Sequence, residues 1–235
     1  MKSAFIRLGR WIIQFIAGFI IISSLIVLLF RWVNLPTSSF MMQRSVSAWW
    51  NGEDHFELHY EWTNWDDMSS HIKMAAIASE DQNFANHWGI DFASVQEALE
   101  EYEQGQGLRG ASTITQQTAK NLFLWPNQSY VRKGIEAYFS LLLELFWPKK
   151  RILEVYLNIA EFGDGVYGVQ SAADRYFFTT AARLSKSQSA LMVTALPAPK
   201  RYNLASPSGY MLSRRDWVMQ YMDLLGGSYY LEKLD

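Results

Sequence analysis

Residues Trp11 to Phe30 read WIIQFIAGFIIISSLIVLLF, a run of twenty with no charge and only Gln14, Ser23 and Ser24 polar. As an α-helix it rises about 30 Å, the thickness of a bilayer hydrocarbon core, with every backbone polar group paired internally. Lys2, Arg7 and Arg10 precede the run and Arg31 follows it. That bias predicts a cytoplasmic N-terminus, with the rest of the chain on the far side. The run is longer than a signal-peptide core and no A-x-A site follows it, so an uncleaved anchor is expected. The expected organisation is a tail over 1–10, an anchor over 11–31, a linker and the start of the outward part over 32–66, and the main domain over 67–235. Trp32 and the pair Trp49–Trp50 suit the membrane interface.

Behind the anchor, helix signals dominate. NLPTSS (34–39) reads as a linker, and Phe40–Trp65 is mixed and aromatic, with one short strand in HFELHYEW. Ser69 or Ser70 can cap KMAAIASE, Asp91 can cap FASVQEALEEYEQ, and Ser129 opens YVRKGIEAYFSLLLELFW, which stops at Pro148. Further helices are predicted over 149–160, 169–176, 186–196 after a Ser185 cap, and 210–225 ahead of Gly226–Gly227. The fold class expected is mainly α. A net charge of −2 leaves no basic excess for nucleic acid. Without cysteine the chain has no disulfide and no thiolate metal site.

The chemistry concentrates near GASTITQQTAKN, residues 110–121. At helical spacing Thr113, Gln117 and Lys120 share one face, with Ser112 and Gln116 beside it. Neutral hydrogen bonders and one cation suit a ligand with both hydroxyls and phosphate. Glu80 follows the small-residue stretch AAIAS and lies near Phe84 and Trp88. Desolvation there raises a carboxyl pKa toward the range of a general base, whereas capping or ion pairing is the plainer role. Asp81 reads as a structural partner, and His87 as a hydrogen-bonding residue rather than a metal ligand. Glu136 stands one turn after Arg132 and Lys133, by itself an ordinary surface pair worth a few tenths of a kcal/mol. Together with Lys120 these cations make an anion site. The patterns Ser70-x-x-Lys73 and His55/His59 lack the partners that a transpeptidase or a zinc site needs. The runs GQGLRG and EFGDGVYG are not phosphate loops, and the first is expected to be mobile.

EDQNFANHWGID, GASTITQQTAKNLFL, RKGIE, KRILEVYLNIAEFG and RYF (175–177) resemble, in order and spacing, the five signature blocks of the peptidoglycan glycosyltransferases, family 51. The resemblance covers about Met74–Pro199. It implies a lysozyme-like helical lobe with a smaller membrane-proximal jaw lobe. It also implies polymerisation of lipid II into β-1,4 glycan with release of undecaprenyl diphosphate. By that resemblance Glu80 is the general base and Glu136 the second catalytic acid, near the donor diphosphate. Lys120, Arg132 and Lys133 meet the diphosphate; Ser112, Thr113, Gln116 and Gln117 line the donor site; Asp81, Phe84 and His87 complete the first block. Glu154, Tyr156 and Asn158 shape the cleft. No cofactor is required, and a divalent cation, Mg or Mn, is compatible with Glu136. The implied partners are lipid II, the nascent strand, the membrane and cell-wall or division proteins. The implied place is the bacterial inner membrane, single-pass, with the catalytic domain in the periplasm.

One departure stands out. Some family members carry an Arg near position 128, where this chain has Gln128 and Ser129. Two other readings compete. A lysozyme-like muramidase or lytic transglycosylase also centres on one Glu but needs no cation cluster. A non-catalytic scaffold would need neither. Convergence of Lys120, Arg132 and Lys133 on one cleft separates synthesis from cleavage.

Overall fold

A computed structural model describes residues 2–105 and 112–234, with side chains from Arg7 onward. The predicted mobile stretch around Arg109 lies outside the described residues. The chain divides into two compact units, Met1–Asn34 and Leu35–Asp235. The first is a single helix, α1 (Lys2–Phe30), and its Arg7–Phe30 segment is long and apolar enough to cross a membrane. The Ser23 hydroxyl donates to the Phe19 carbonyl at 2.7 Å. That internal bond hides a polar group that hydrocarbon would penalise.

The second unit is mainly helical, as the sequence predicts. It opens with α2 (Ser39–Trp50), where a linker and irregular chain are expected from the sequence. Ser38 caps this helix by accepting from the Met41 N–H, and Met41 and Ala48 point inward. Met42, Val46, Trp49 and Trp50 are exposed. Apolar residues on both faces erase the amphipathic contrast by which such a helix is recognised.

Strand β1 (His59–Tyr60) lies within the predicted strand segment. Its partner β3 (Val166–Tyr167) runs parallel to it, and β2 (Glu161–Gly163) runs antiparallel to β3 with a bulge. The Gly-rich EFGDGVYG is therefore a hairpin. Gly168 sits at φ +84°, where a Cβ would meet the Asn158 carbonyl oxygen at 2.7 Å, so only glycine fits.

Helix α3 (Ser70–Glu80) runs through the middle of the unit, with Ile72–Ala78 buried without a break. Its alanines let α9 (Lys186–Val193), α10 (Gly209–Leu224) and the terminal 3-10 segment Gly227–Leu234 approach closely. Helix α4 (Phe92–Glu103) begins at the Asp91 cap. Helix α5 (Ile114–Phe123) packs on α6 (Tyr130–Phe146) and α7 (Lys149–Ile159). Helix α8 (Val169–Phe177) completes the set. The caps Ser69, Asp91, Ser129 and Ser185 each accept a backbone N–H, as their positions in the sequence predict.

The fourth sequence block ties the chain after β1 to α7. Asn158 is fully buried; its Oδ1 accepts the Thr63 N–H at 2.7 Å and its Nδ2 donates to the Thr63 carbonyl at 2.9 Å. Glu154 accepts the Trp65 N–H at 2.7 Å and pairs with Arg151. Replacing Asn158 by Ala strands two buried backbone groups. The expected loss is about 2–4 kcal/mol, read as a lower urea midpoint at unchanged slope.

Candidate active site

Glu80 is the last residue of α3, and the chain turns sharply at Asp81. The Gln117 side-chain N–H donates to Glu80 Oε2 at 2.9 Å, and the Ser79 hydroxyl donates to Oε1 at 2.9 Å. Behind them the buried Tyr156 hydroxyl donates to Gln117 Oε1 at 3.2 Å, which fixes the amide. Glu80 is half-buried, and burial pushes its carboxyl pKa up; the hydrogen bonds from Gln117 and Ser79 and the nearby Arg214 partly offset that rise. It borders a cleft of about 680 Å³, walled by Asn83, Ser112, Arg214 and Trp217. A carboxylate held by two neutral donors, with no ion-pair partner among the described residues, keeps lone pairs available for a proton.

The rest of the first block faces inward. Asp81 is buried and accepts the Ile114 N–H at 2.9 Å, while His87 Nε2 approaches its oxygens at 2.9 and 3.0 Å. This joins the loop after α3 to the start of α5. Phe84 is fully buried and His87 nearly so. The Phe84 ring lies under the Lys149 ammonium, 4.6 Å from its centre. Thr113 and Gln116 form a reciprocal capping box on α5, and the Thr113 hydroxyl donates to the Gly89 carbonyl at 2.5 Å. Thr113 is thus a cap rather than a member of the helical face; the helix starts one residue later.

A second cavity, of about 190 Å³, adjoins through Ser112. Gln116, Gln117, Lys120, Gln128, Arg132, Lys133 and Glu136 line it. All three predicted cations converge there. Glu136 is only 2% exposed; Arg132 Nη1 pairs with its Oε2 at 2.6 Å and Lys133 Nζ with its Oε1 at 2.5 Å. Lys133 also donates to Ser112 at 3.4 Å. The surface pair read from the sequence is therefore a buried Arg132–Glu136 pair with the exposed Lys133 at its edge, because α6 turns this face onto α5. Lys120 has no ion-pair partner among the described residues, and burial lowers its ammonium pKa, opposed by Glu136. Arg132 Nε is buried and has no hydrogen-bond partner among the described residues. One carboxylate against three cations leaves net positive charge with a spare donor, the chemistry of an anion site. Gln128 is exposed on the rim; the cations of α5 and α6 supply the charge.

Both Glu136 oxygens are occupied by ion pairs, and the described residues hold no cluster of three metal-binding side chains. The donor set does not fit a protein-held metal. Of the other motifs, the Lys73 ammonium lies over the Trp65 ring at 4.2 Å, and His59 Nε2 lies 2.9 Å from Arg175 Nη1. The sequence reading missed Arg214 and Trp217, which lie beyond the five blocks. The Arg214 guanidinium stacks 3.8 Å from the Trp217 ring centre and donates to the Ser79 carbonyl at 3.4 Å. No local signal marked them.

Residues 51–223 match the family described as Transglycosylase. Among curated proteins, the biosynthetic peptidoglycan transglycosylase of Pseudomonas putida F1 is 49% identical over 229 residues, 97% of this chain and 95% of that protein. The proteins of the same description from Pseudomonas entomophila and Chromohalobacter salexigens are 48% and 47% identical, covering 100% of this chain and 98% and 100% of theirs.

Proposed function

This chain belongs to the transglycosylase family and is a peptidoglycan glycosyltransferase of cell-wall synthesis, and we propose that Glu80 is its general base and the Lys120–Arg132–Lys133 cavity its diphosphate site. The observation that supports this assignment is the juxtaposition of a half-buried carboxylate, without an ion-pair partner among the described residues, with a cationic cavity that shares Ser112 with its cleft. A glycan-cleaving enzyme acts on an uncharged bond and has no use for such a cavity.

In the proposed step Glu80 takes the proton from the 4-hydroxyl of the lipid II sugar. That oxygen attacks the anomeric carbon of the growing chain. The bond from that carbon to phosphate breaks, and undecaprenyl diphosphate leaves carrying the electron pair. Inversion turns an α link into β-1,4, which requires base and leaving group on opposite faces of the ring. Charge grows on the diphosphate as the bond breaks, so preplaced Lys120, Arg132 and Lys133 stabilise the transition state more than the ground state. Helix α1 is the single-pass anchor, with Lys2, Arg7 and Arg10 inside and the catalytic unit in the periplasm. Confinement to the membrane raises the effective concentration of a lipid-linked substrate.

Purified full-length protein in detergent is expected to convert labelled lipid II into long chains that lysozyme digests, read on a gel. Intact lipid II after incubation with folded protein would reject the polymerase assignment, and release of fragments from sacculi would favour cleavage.

A further inference from the structure

The five sequence blocks end before α10, yet α10 forms one wall of the Glu80 cleft through Arg214, Trp217 and Tyr221. These residues are spaced i, i+3 and i+7, so they share one face of the helix. The Arg214 guanidinium lies 3.8 Å from the Trp217 ring centre, and the Tyr221 ring stacks on the same indole at 4.0 Å. Two groups that close to one ring centre occupy its opposite faces, so the indole is not open to a sugar. The stack instead holds the guanidinium in place. Along α10, Arg215 pairs with Asp216, and Asp223 pairs with Lys186 of α9. Arg214 has no ion-pair partner among the described residues, and its Nη2 donates to the Ser79 carbonyl at 3.4 Å.

A guanidinium bonded to Glu80 itself would occupy the lone pairs that a base needs. Removed altogether, it would leave burial unopposed, and burial favours the neutral acid. Arg214 stands between these extremes. It reaches the carbonyl of the residue before Glu80, and the hydroxyl of that same residue donates to Glu80 Oε1 at 2.9 Å. We propose that Arg214 is a positioning residue for the base, a cation fixed by its aromatic stack where it keeps Glu80 ionised and leaves its lone pairs free.

The other charges around Glu80 do not replace it. Asp81, next in the chain, opposes ionisation, whereas Arg214 favours it. Asp91 and Glu97, at the start of α4, border the cleft as further acidic groups. Tyr156 of α7 and Tyr230 of the terminal segment have raised pKa values through burial and stay neutral. Lys120 of α5 interacts with Glu80 but lines the cavity assigned to the diphosphate, where a bound anion offsets its charge. The inference rests on the general-base assignment of Glu80 and deepens it.

The test is the pH profile of kcat/KM for lipid II polymerisation by full-length wild type, Arg214→Gln, Arg214→Lys and Arg214→Met in detergent, each checked by thermal unfolding. Removing the cation raises the proton affinity of Glu80, so the acid limb of Arg214→Gln moves to higher pH. Its deficit against wild type is expected to be roughly threefold larger on that limb than at the pH optimum. Arg214→Lys restores a charge and returns the limb toward wild type. Arg214→Met keeps an apolar contact with the Trp217 ring and carries the same test where Arg214→Gln fails to fold. A deficit equal at every pH overturns the inference, by making Arg214 a binding or packing residue. A lysine variant displaced as far as the glutamine one overturns it too, since charge is then not the cause. An unchanged acid limb in a folded Arg214→Gln, beside active wild type, overturns it and leaves the glycosyltransferase assignment standing. Inactive wild type, or a Glu80→Gln variant that retains the wild-type acid limb, removes the assignment on which it rests.

Discussion

Glu80→Gln is expected to lower kcat for lipid II polymerisation by about 10³-fold, the usual worth of a positioned general base. The substitution is nearly isosteric. A carbonyl can still accept from Gln117 or Ser79, so the ends of α3 and α5 keep their contacts. What disappears is the lone pair that takes the proton. Thermal unfolding of the variant should therefore match wild type while the gel shows no chains. The wild-type pH profile provides an independent check. Burial raises the Glu80 pKa, the protonated form is inactive, and kcat/KM falls as pH drops through that raised value. The acid limb thus begins at a higher pH than an exposed Glu gives. Lys120 has the opposite shift: its lowered pKa removes the cation, and rate, on the alkaline side below the ordinary lysine range. Residual activity of Glu80→Gln that retained the wild-type acid limb would place the base elsewhere.

Glu136→Ala is the second large effect. It removes the only carboxylate, among the described residues, that faces Arg132 and Lys133 in the cationic cavity. Arg132 is 7% exposed and would be left charged, buried and unpaired. Removing one partner of a buried pair costs about 3–5 kcal/mol, against a few tenths for an exposed i, i+4 pair. Urea unfolding of the full-length protein in detergent, followed by tryptophan fluorescence, distinguishes the two. A loss below about 1 kcal/mol would mean that water reaches the cluster as freely as at a surface. Polymerisation should also fall, because without Glu136 the two cations repel each other and no longer point together at the diphosphate.

Lys120 stood out in the sequence because hydroxyls and amides in series around one lysine are not what a core requires, whereas Glu80, followed directly by Asp81, was singled out by the family resemblance, since its residues alone favoured a capping or ion-pair role. The caps were legible for a related reason. Ser69, Asp91, Ser129 and Ser185 satisfy backbone groups two or three residues away, so the signal is local. Helix α2 was hidden by exposed Met42, Val46, Trp49 and Trp50, which serve a surface rather than a core.

The sequence by itself determined the membrane-length helix, the mainly helical character of the rest and the roster of charged and polar groups able to act. Each follows from composition or from spacing within a few residues. Tertiary structure alone decided which of those groups meet. The pairing of β1 with β3 joins His59 to Val166. The Asp81 bond to the Ile114 N–H sets Glu80 against Gln117. The packing of α6 on α5 turns an ordinary Arg–Lys–Glu turn into a buried Arg132–Glu136 pair that lines a cavity with Lys120. Such contacts depend on loop closure and on burial of the whole unit, and surroundings rather than residue identity set apart the carboxylate proposed as base from the one that is a counterion.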